Sequence, residues 1–305
     1  MIKMWRKNSA AALLSTTLLF SSAAAVITPT AAYAADKSDY PKFYNVAKQG
    51  PVTPGLVSDK KWVPQGMAVW SSKKWIISSY YSSSKADASS LMITEKDSKD
   101  KRVRTYYLYN EDGSKHMGHV GGLAISGKYL WVASGTDVYR IPLSTISGSK
   151  DYAKLKMKKY DLKHKASYAT FRDGVLWVGE YTEGSTQCSK GSKGTVYGYK
   201  LSSSEGISTT PTYKWKTPDR VQGMALTKDQ VIYSQSCGRN NSSKLLIHKR
   251  GYDGAKVKDL TLPPMAEGIA FYGSNLYVSF ESGSQAYPNG KHRLKNYFYL
   301  NPSKI

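Results

Sequence analysis

Three glutamates lie beside apolar segments at related places in the chain and could do acid–base chemistry or bind a cation. Glu267 opens one apolar segment, whereas Glu180 and Glu281 each follow another. Two carboxyl groups can hydrolyse a glycosidic bond when one has a raised pKa and the other a normal one. Carboxylate oxygens are also the ligands that Ca²⁺ prefers. These glutamates are the candidate catalytic residues, and Ca²⁺ is the candidate ion in a protein for which we expect no other cofactor.

A second set of amide, imidazole, aromatic and carboxyl side chains occupies matching places along the chain. Groups of this kind hydrogen-bond and stack against sugars or peptides. The alternative interpretation is that they only satisfy strand ends and ordered water. The candidate ligand-binding residues are Gln65, Tyr80, His119, Tyr181, Gln222, Gln235 and Glu267.

A repeated four-residue phrase indicates which elements position these side chains. Gln-Gly-Met-Ala at residues 65–68 recurs at residues 222–225, and relaxed copies begin at Gly121, Ser167 and Glu267. The copies begin 56, 46, 55 and 45 residues apart, and each is followed by a second apolar run. A unit of ~40–50 residues with several short strands is typical of a propeller blade. The sequence therefore predicts an all-β, five-bladed β-propeller of four-stranded antiparallel blades over residues 60–305.

This architecture would bring the candidate residues to one place. Each copy of the phrase would form an inner strand, where small residues let backbones approach closely around the central channel. The loops before the inner strands and after the second strands would gather on one face of the ring. The mouth of the channel is therefore the predicted site of ligand binding, Ca²⁺ binding or catalysis.

The last blade is one strand short in sequence order. Four units show four strands each, residues 154–162 being the fourth strand of unit two, whereas the fifth unit shows three. Residues 35–59 precede the first unit as an extended segment. Within it, residues 42–48 are predicted to pair with residues 296–300 and close the ring, because closure removes an exposed sheet edge.

Residues 1–34 have the anatomy of a secretory signal peptide. Lys3, Arg6 and Lys7 precede a largely apolar stretch, and Ala32 and Ala34 form a small-x-small cleavage site. A retained membrane anchor is the alternative, but serines and threonines dilute the stretch. We expect a secreted, extracellular monomer with no stable membrane insertion.

The charge of the chain favours anionic partners. The formal charge is +22, and loss of residues 1–34 would leave +19. A field of one sign attracts polyanions, and the excess of lysine over arginine favours diffuse attraction to an anionic wall polymer or glycan. The alternative is that the lysines only keep the protein soluble.

The two cysteines, Cys188 and Cys237, each follow the second strand of neighbouring units. They therefore occupy comparable loops, and an exported chain usually pairs its cysteines. We predict a disulfide between them.

The repeated Gly-apolar-Ala strands of residues 60–305 resemble those of secreted bacterial β-propeller proteins, including exported actinobacterial ones. That resemblance implies a fold and not an activity. Glu267-Gly268 is also similar to the Glu-Gly of gluconolactonase-like propellers, whose glutamate binds a metal. The similarity is confined to this dipeptide and implies a metal-binding role for Glu267.

Three functions stay open on the sequence. The first is an extracellular binding module that engages an anionic wall polymer, a glycan or a secreted protein through the channel face. The second is a metal-assisted hydrolase or lyase that uses the three glutamates. The third is a secreted scaffold or cross-linking substrate protein. The sequence has no nucleophile elbow, phosphate-binding loop or zinc-type cysteine cluster, and we therefore favour binding over catalysis.

Overall fold

The computed structural model describes residues 37–56, 62–98, 102–251 and 254–305. Their strands form five sheets in a ring, which confirms the predicted five-bladed β-propeller. The predicted signal peptide lies outside the described residues. Within the described ranges, no helix combines the length and apolarity needed to cross a bilayer.

The chain enters the ring through a short helical segment and then builds the first two blades. It begins with a 3-10 turn (Lys37–Asp39), helix α1 (Pro41–Val46) and strand β1 (Lys48–Val52). Blade 1 contains β2 (Trp62–Trp70), a 3-10 turn (Ser71–Lys73), β3 (Trp75–Ser82), β4 (Ser90–Glu95) and β5 (Arg102–Tyr109). Next come β6 (Gly122–Ile125), β7 (Tyr129–Ser134), β8 (Asp137–Pro142), helix α2 (Leu143–Gly148), β9 (Lys154–Lys156) and β10 (Lys158–Asp161).

The remaining blades follow the same plan, with strands in sequence order from the axis outward. Blade 3 contains β11 (Tyr168–Arg172), β12 (Val175–Gly179), β13 (Gly194–Lys200) and β14 (Tyr213–Thr217). Blade 4 contains β15 (Val221–Leu226), β16 (Gln230–Gln235), β17 (Ser243–Lys249) and β18 (Lys256–Leu262). Blade 5 contains β19 (Ala266–Tyr272), β20 (Asn275–Phe280) and β21 (Asn296–Leu300), with 3-10 turns at Glu281–Gly283 and Pro302–Lys304.

The inner strands β2, β6, β11, β15 and β19 contact one another in turn around the axis. The glycines of the repeated phrase make this approach feasible. A Cβ atom on Gly122 would lie 2.2 Å from the backbone nitrogen of Ala169, and one on Gly268 would lie 2.5 Å from that of Met67. No larger residue fits at such distances, so the predicted reason for the phrase is confirmed.

Serines on the second strands tie neighbouring inner strands together. Ser79 on β3 donates a hydrogen bond to the Val120 carbonyl oxygen in the next blade at 2.5 Å. Ser279 on β20 donates to the carbonyl oxygens of Gln65, at 3.5 Å, and Gly268, at 3.1 Å. These bonds cross the boundaries between blades and fix the backbone at the mouth of the channel.

An N-terminal strand closes blade 5, but the predicted segment is wrong. The closing strand is β1, which pairs antiparallel with β21 and sets Lys48 opposite Tyr299. Residues 41–46 instead form α1, with Pro41 in the first turn, where its missing N–H is not needed. Phe43 of α1 is fully buried, 5.3 Å from the ring of Phe298. Packing of this aromatic ring therefore explains why the segment is helical.

The predicted fourth strand of unit two, at residues 154–162, is also wrong as a single strand. Its first part, β9, pairs in parallel with β5 of blade 1, and its second part, β10, pairs antiparallel with β8 of blade 2. Met157 between them is fully buried. The segment therefore links the outer edges of two blades.

Candidate functional site

Three predicted site residues occupy equivalent bulges in the inner strands. The strand register slips at Gln65 in β2, at Gln222 in β15 and at Glu267 in β19. A β-bulge leaves the extra residue outside the regular pairing and redirects its side chain. The repeated phrase thus marks the points where polar side chains leave the inner strands.

Glu267 and Glu281 form a carboxyl pair at the mouth of the channel. Ala266 pairs with Phe280, so the two glutamates lie at the ends of adjacent strands. Glu267 is 3% exposed. Burial, together with charge repulsion from Glu281, raises the pKa of Glu267 well above its usual range. Burial also raises the pKa of Glu281 to about 8, so at neutral pH the pair holds protons in place of two negative charges.

Gln65 joins this pair to blade 1. Its amide nitrogen donates to a carboxylate oxygen of Glu281 and to the Pro64 carbonyl oxygen, the latter at 2.9 Å. The Gln65 hydrogen bond and the nearby Arg239 both lower the pKa of Glu281, but burial outweighs them. Gln65 therefore orients the carboxyl group of Glu281, and its role in ligand binding stays a prediction.

Aromatic side chains form a wall above the carboxyl pair. The hydroxyl groups of Tyr81 and Tyr287 lie 3.1 Å apart, and the ring of Tyr81 stacks on His119 with centroids 4.1 Å apart. Burial, and next the charge of Glu281, raises the pKa of Tyr81 to about 12. Both tyrosines are therefore neutral hydrogen-bonding groups at neutral pH. His119, a predicted ligand-binding residue, lies at this wall.

The disulfide positions a cation beside the wall. Cys188 and Cys237 are bonded, with Cα atoms 5.4 Å apart, which confirms the predicted pairing. Gly238 follows with a φ of +72°, and a Cβ atom there would lie 3.0 Å from the Cys188 sulfur. The next residue, Arg239, places its guanidinium 4.6 Å from the centre of the Tyr287 ring. The loops of blades 3 and 4 thus supply a positive charge next to the carboxyl pair.

Tyr80, a predicted ligand-binding residue, does not reach the mouth. Its side chain is 0% exposed and packs with Trp62 and Met92. Side chains alternate between the two faces of a strand, so Tyr81 reaches the mouth where Tyr80 cannot. A side chain with no exposed surface cannot contact a ligand, so the prediction for Tyr80 was wrong.

The other predicted residues lie elsewhere around the ring. Glu180 lies 3.5 Å from the Tyr197 hydroxyl on blade 3. Gln235 donates to the backbone and side chain of Asp219, each at 2.9 Å, and so braces the link between blades 3 and 4. Burial, then the charges of Glu183 and Glu267, raise the pKa of Tyr181, whose hydroxyl donates to the Glu183 carboxylate at 3.4 Å. The structure thus joins Glu281 to Glu267 and gives Glu180 other contacts.

The carboxyl pair is also the candidate place for the predicted calcium ion. Among the described residues, the cluster whose acidic, histidine and cysteine ligand atoms lie together is Glu183 with the two cysteines. The sulfurs of that cluster are already joined in the disulfide. Glu267, Glu281 and the side-chain oxygen of Gln65 could supply some of the six to eight oxygen ligands that Ca²⁺ takes, and calcium binding stays a prediction.

Sequence reasoning missed Tyr287 and Arg239. Both lie in loops outside the repeated phrase, one between β20 and β21 and the other after β16. The only sequence signal for Arg239 was its place two residues after a cysteine.

Comparisons with known proteins show the fold. No family model matches the sequence, and no curated protein matches it. Glutaminyl cyclase of Myxococcus xanthus is similar in structure, with a TM-score of 0.52, 9% identity, and 84% of this chain and 95% of that chain covered. A GH43_1 enzyme from Xanthomonas citri is similar with a TM-score of 0.50 and 10% identity, and the match covers 85% of this chain and 92% of that chain. The tail fiber of Staphylococcus aureus phage P68 is similar with a TM-score of 0.52 and 14% identity, and the match covers 85% of this chain and 54% of that chain.

Enzymes and a fibre protein therefore share the propeller, and at these identities the likeness concerns the fold alone. The resemblance of Glu267-Gly268 to gluconolactonase-like propellers stays a prediction.

Proposed function

We propose that this protein is a secreted propeller that binds an uncharged, hydroxyl-rich ligand, such as the end of a glycan, at the mouth of the channel. The observation that carries the proposal is the carboxyl pair of Glu267 and Glu281 beneath the Tyr81–Tyr287 wall. A protonated carboxyl group both donates and accepts hydrogen bonds, and tyrosine rings provide rigid contact surfaces for a sugar.

The electrostatics of the mouth support a neutral ligand over the anionic polymer that the net charge suggests. The carboxyl pair would repel an acidic group once either proton left. Of the two groups that lower the pKa of Glu281, Gln65 and Arg239, Arg239 is the one that carries a positive charge. We therefore assign the anionic partner to another surface and the neutral ligand to the mouth.

Binding of neutral oligosaccharides tests this proposal. Chito-, xylo-, arabino- and galacto-oligosaccharides would be titrated calorimetrically into the wild type and into Tyr81→Ala. We expect at least one sugar to bind and its affinity to fall about tenfold in the variant, because one stacking surface is lost. Tyr152→Ala is the matched control, because Tyr152 is 56% exposed and lies in the loop before β9. Equal affinities of wild type and Tyr81→Ala for every sugar would contradict the proposal.

A second candidate function is acid-catalysed hydrolysis or elimination at the same pair. The raised pKa values of Glu267 and Glu281 favour it, because a carboxyl group of this kind still holds a proton at neutral pH and either member of the pair can donate it. Glu267→Gln separates the two functions, since glutamine keeps the shape and hydrogen-bonding of a protonated carboxyl group but cannot transfer a proton.

For an enzyme, chromatography of the incubated sugars would show products with the wild type, a loss of about 100-fold or more in Glu267→Gln, and retained binding. For a binding protein, neither the wild type nor Glu267→Gln would form products. Repeating both assays with CaCl₂ and with EDTA tests the calcium prediction, because a metal-dependent site would lose activity or affinity in EDTA.

A further inference from the structure

A cleft between the outer parts of blades 3 and 4 has features of a second binding site. Two cavities of about 570 and 300 Å³ open there, and Gly251 contributes to the walls of both. One side of the cleft is β14, and the other is the segment that ends β17. None of the mouth residues described above lines either cavity.

An aromatic floor runs across blade 3 at this cleft. Trp177 on β12 lies opposite Gly198 on β13, which lies opposite Tyr213 on β14. A Cβ atom on Gly198 would lie 2.6 Å from the Trp177 ring, so glycine allows the indole to lie across the strand. Tyr213 stacks beside that indole with centroids 5.8 Å apart and is 42% exposed. Its ring gives a ligand a flat apolar surface.

The aromatic floor is rigid because buried and ion-paired side chains pack against the Trp177 ring and fix its position. The Trp215 ring lies 4.2 Å from that of Trp177, and its indole nitrogen donates to the Tyr233 hydroxyl at 2.9 Å. Arg250 lies 5.9 Å from the Trp177 ring and is fixed by Asp173 at 2.9 Å. A prearranged surface of this kind loses little entropy when a ligand binds.

Positive charge surrounds the floor. Lys200 places its ammonium group 5.5 Å from the centre of the Tyr213 ring. Asp219, a carboxylate in the cleft wall, is already engaged by the Gly191 nitrogen at 2.8 Å, the Arg220 guanidinium at 3.1 Å and Gln235 at 2.9 Å. Lys190, Lys193 and Lys249 are further exposed lysines that line the two cavities. Lys214 and Lys216 alternate with Tyr213 and Trp215 along β14 and so lie on its other face, where the Lys216 ammonium group donates to the Thr195 hydroxyl at 3.2 Å.

We propose that this cleft binds an acidic polysaccharide. One sugar ring would lie on Tyr213, and acidic groups of the chain would contact the lysines. A single exposed ring suits this ligand better than single-stranded nucleic acid, which needs several exposed rings for successive bases. Among the described residues lining the cleft, Tyr213 is the only exposed aromatic side chain. The proposal does not depend on the function of the mouth.

Binding of polygalacturonate and chondroitin sulfate tests the proposal, with dextran as the neutral polymer and a thymidine oligonucleotide as the alternative ligand. Affinities would be measured for Tyr213→Ala and for Lys200→Gln/Lys249→Gln at about 50 and 200 mM NaCl. We expect at least one acidic polysaccharide to bind, each variant to weaken it about tenfold, and the lysine variant to show a shallower salt dependence. Melting curves would show that each variant is folded.

Matched controls are Tyr152→Ala and Lys154→Gln/Lys158→Gln, which change exposed residues before and along β9 and β10. We expect these controls to bind within about twofold of the wild type. Equal losses in the controls would show diffuse charge attraction and overturn the proposal. Tighter binding of the oligonucleotide, with a Tyr213-dependent loss only for that ligand, would assign the cleft to nucleic acid. Absence of binding to both acidic polysaccharides would also overturn it.

Discussion

Glu267 and Glu281 make the stability of the folded protein depend on pH. Both have pKa values raised in the folded state, that of Glu281 from an ordinary 4.5 to about 8. The folded protein therefore keeps protons that the unfolded chain loses as the pH passes the ordinary value. The stability contributed by this proton binding is fully present below about 4.5 and is lost as the pH rises to about 8.

We accordingly predict that Glu267→Gln weakens the decline of the melting temperature between about pH 6 and pH 9. The wild type should lose roughly 5 °C or more over this range because of the pair. Glutamine removes the charge that burial disfavours, so the variant should be the more stable protein at the higher pH. Differential scanning calorimetry measures the effect.

The matched control is Glu111→Gln, which changes an exposed glutamate in the turn after β5. It should keep the decline of the wild type. Identical curves for wild type and Glu267→Gln would contradict the pKa shifts on which the site depends.

Among single residues, the sequence could point to those that lie in the repeated phrase or directly after the strand that follows it. Gln65 and Glu267 could be named as candidates because they belong to the repeated phrase, and Glu281 because it follows a second strand. Of the residues that end β3, Tyr80 was chosen over Tyr81, because the face of β3 that reaches the mouth depends on strand register, which the sequence does not state. Tyr287 and Arg239 belong to loops whose paths depend on tertiary contacts.

The inner strands set how closely the blades approach. A Cβ atom on Gly122 would lie 2.2 Å from the backbone nitrogen of Ala169, and the backbone cannot move away as a flexible side chain could. We predict that Gly122→Ala lowers the free energy of unfolding by about 3 kcal/mol or more. Urea denaturation measures the change. Gly148→Ala is the control, because a Cβ atom there meets nothing within 4 Å, and an equal loss in both would contradict this account.

The closing strand β1 is expected to make unfolding cooperative. Deletion of residues 36–52 would expose the edge of β21, whose residues pair with β1 in the folded ring. We predict a broadened, lower melting transition and aggregation detected by light scattering. Phe43→Ala separates the effect of helix α1, since it removes the buried ring but keeps β1 and should leave a single sharp transition. An unchanged melting curve after the deletion would show that the ring closes without this strand.

The positions of strands could be predicted where the repeat is regular. They could not be predicted in segments that depart from the repeat. The spacing of the phrase fixed five blades, but residues 41–46 are helical and residues 154–161 serve two blades. Burial of Phe43 and Met157 decides both cases. Such contacts involve partners distant in the chain, which local patterns do not show.

For the whole molecule, the disulfide joins blades 3 and 4 beside the mouth and closes a loop of 49 residues. The chain-entropy estimate for such a loop is about 4 kcal/mol. We predict that Cys188→Ser/Cys237→Ser loses stability of this order in urea denaturation and also weakens ligand binding at the mouth, because Arg239 is no longer held. Reduction of the wild type should reproduce the loss of stability. An unchanged denaturation midpoint would show that the loops are fixed without the bond.

The charge of the whole chain predicted an anionic partner but not its place. The mouth contains a buried carboxyl pair with Arg239 beside it, whereas Lys190, Lys193 and Lys249 line the cleft between blades 3 and 4. A formal charge of +22 does not show that the carboxyl pair and the lysines of the cleft lie at different places. Their places depend on which strands lie at the edge of each blade.

The protonation state of the carboxyl pair is the central claim, and infrared spectroscopy tests it most directly. A protonated carboxyl group has a carbonyl stretch that a carboxylate lacks, so difference spectra between about pH 6 and pH 9 report the proton. We predict this band in the wild type at neutral pH, its loss as the pH rises through about 8, and its absence in Glu267→Gln/Glu281→Gln. A wild-type spectrum without the band at neutral pH would show that both glutamates are ionised and would contradict the account.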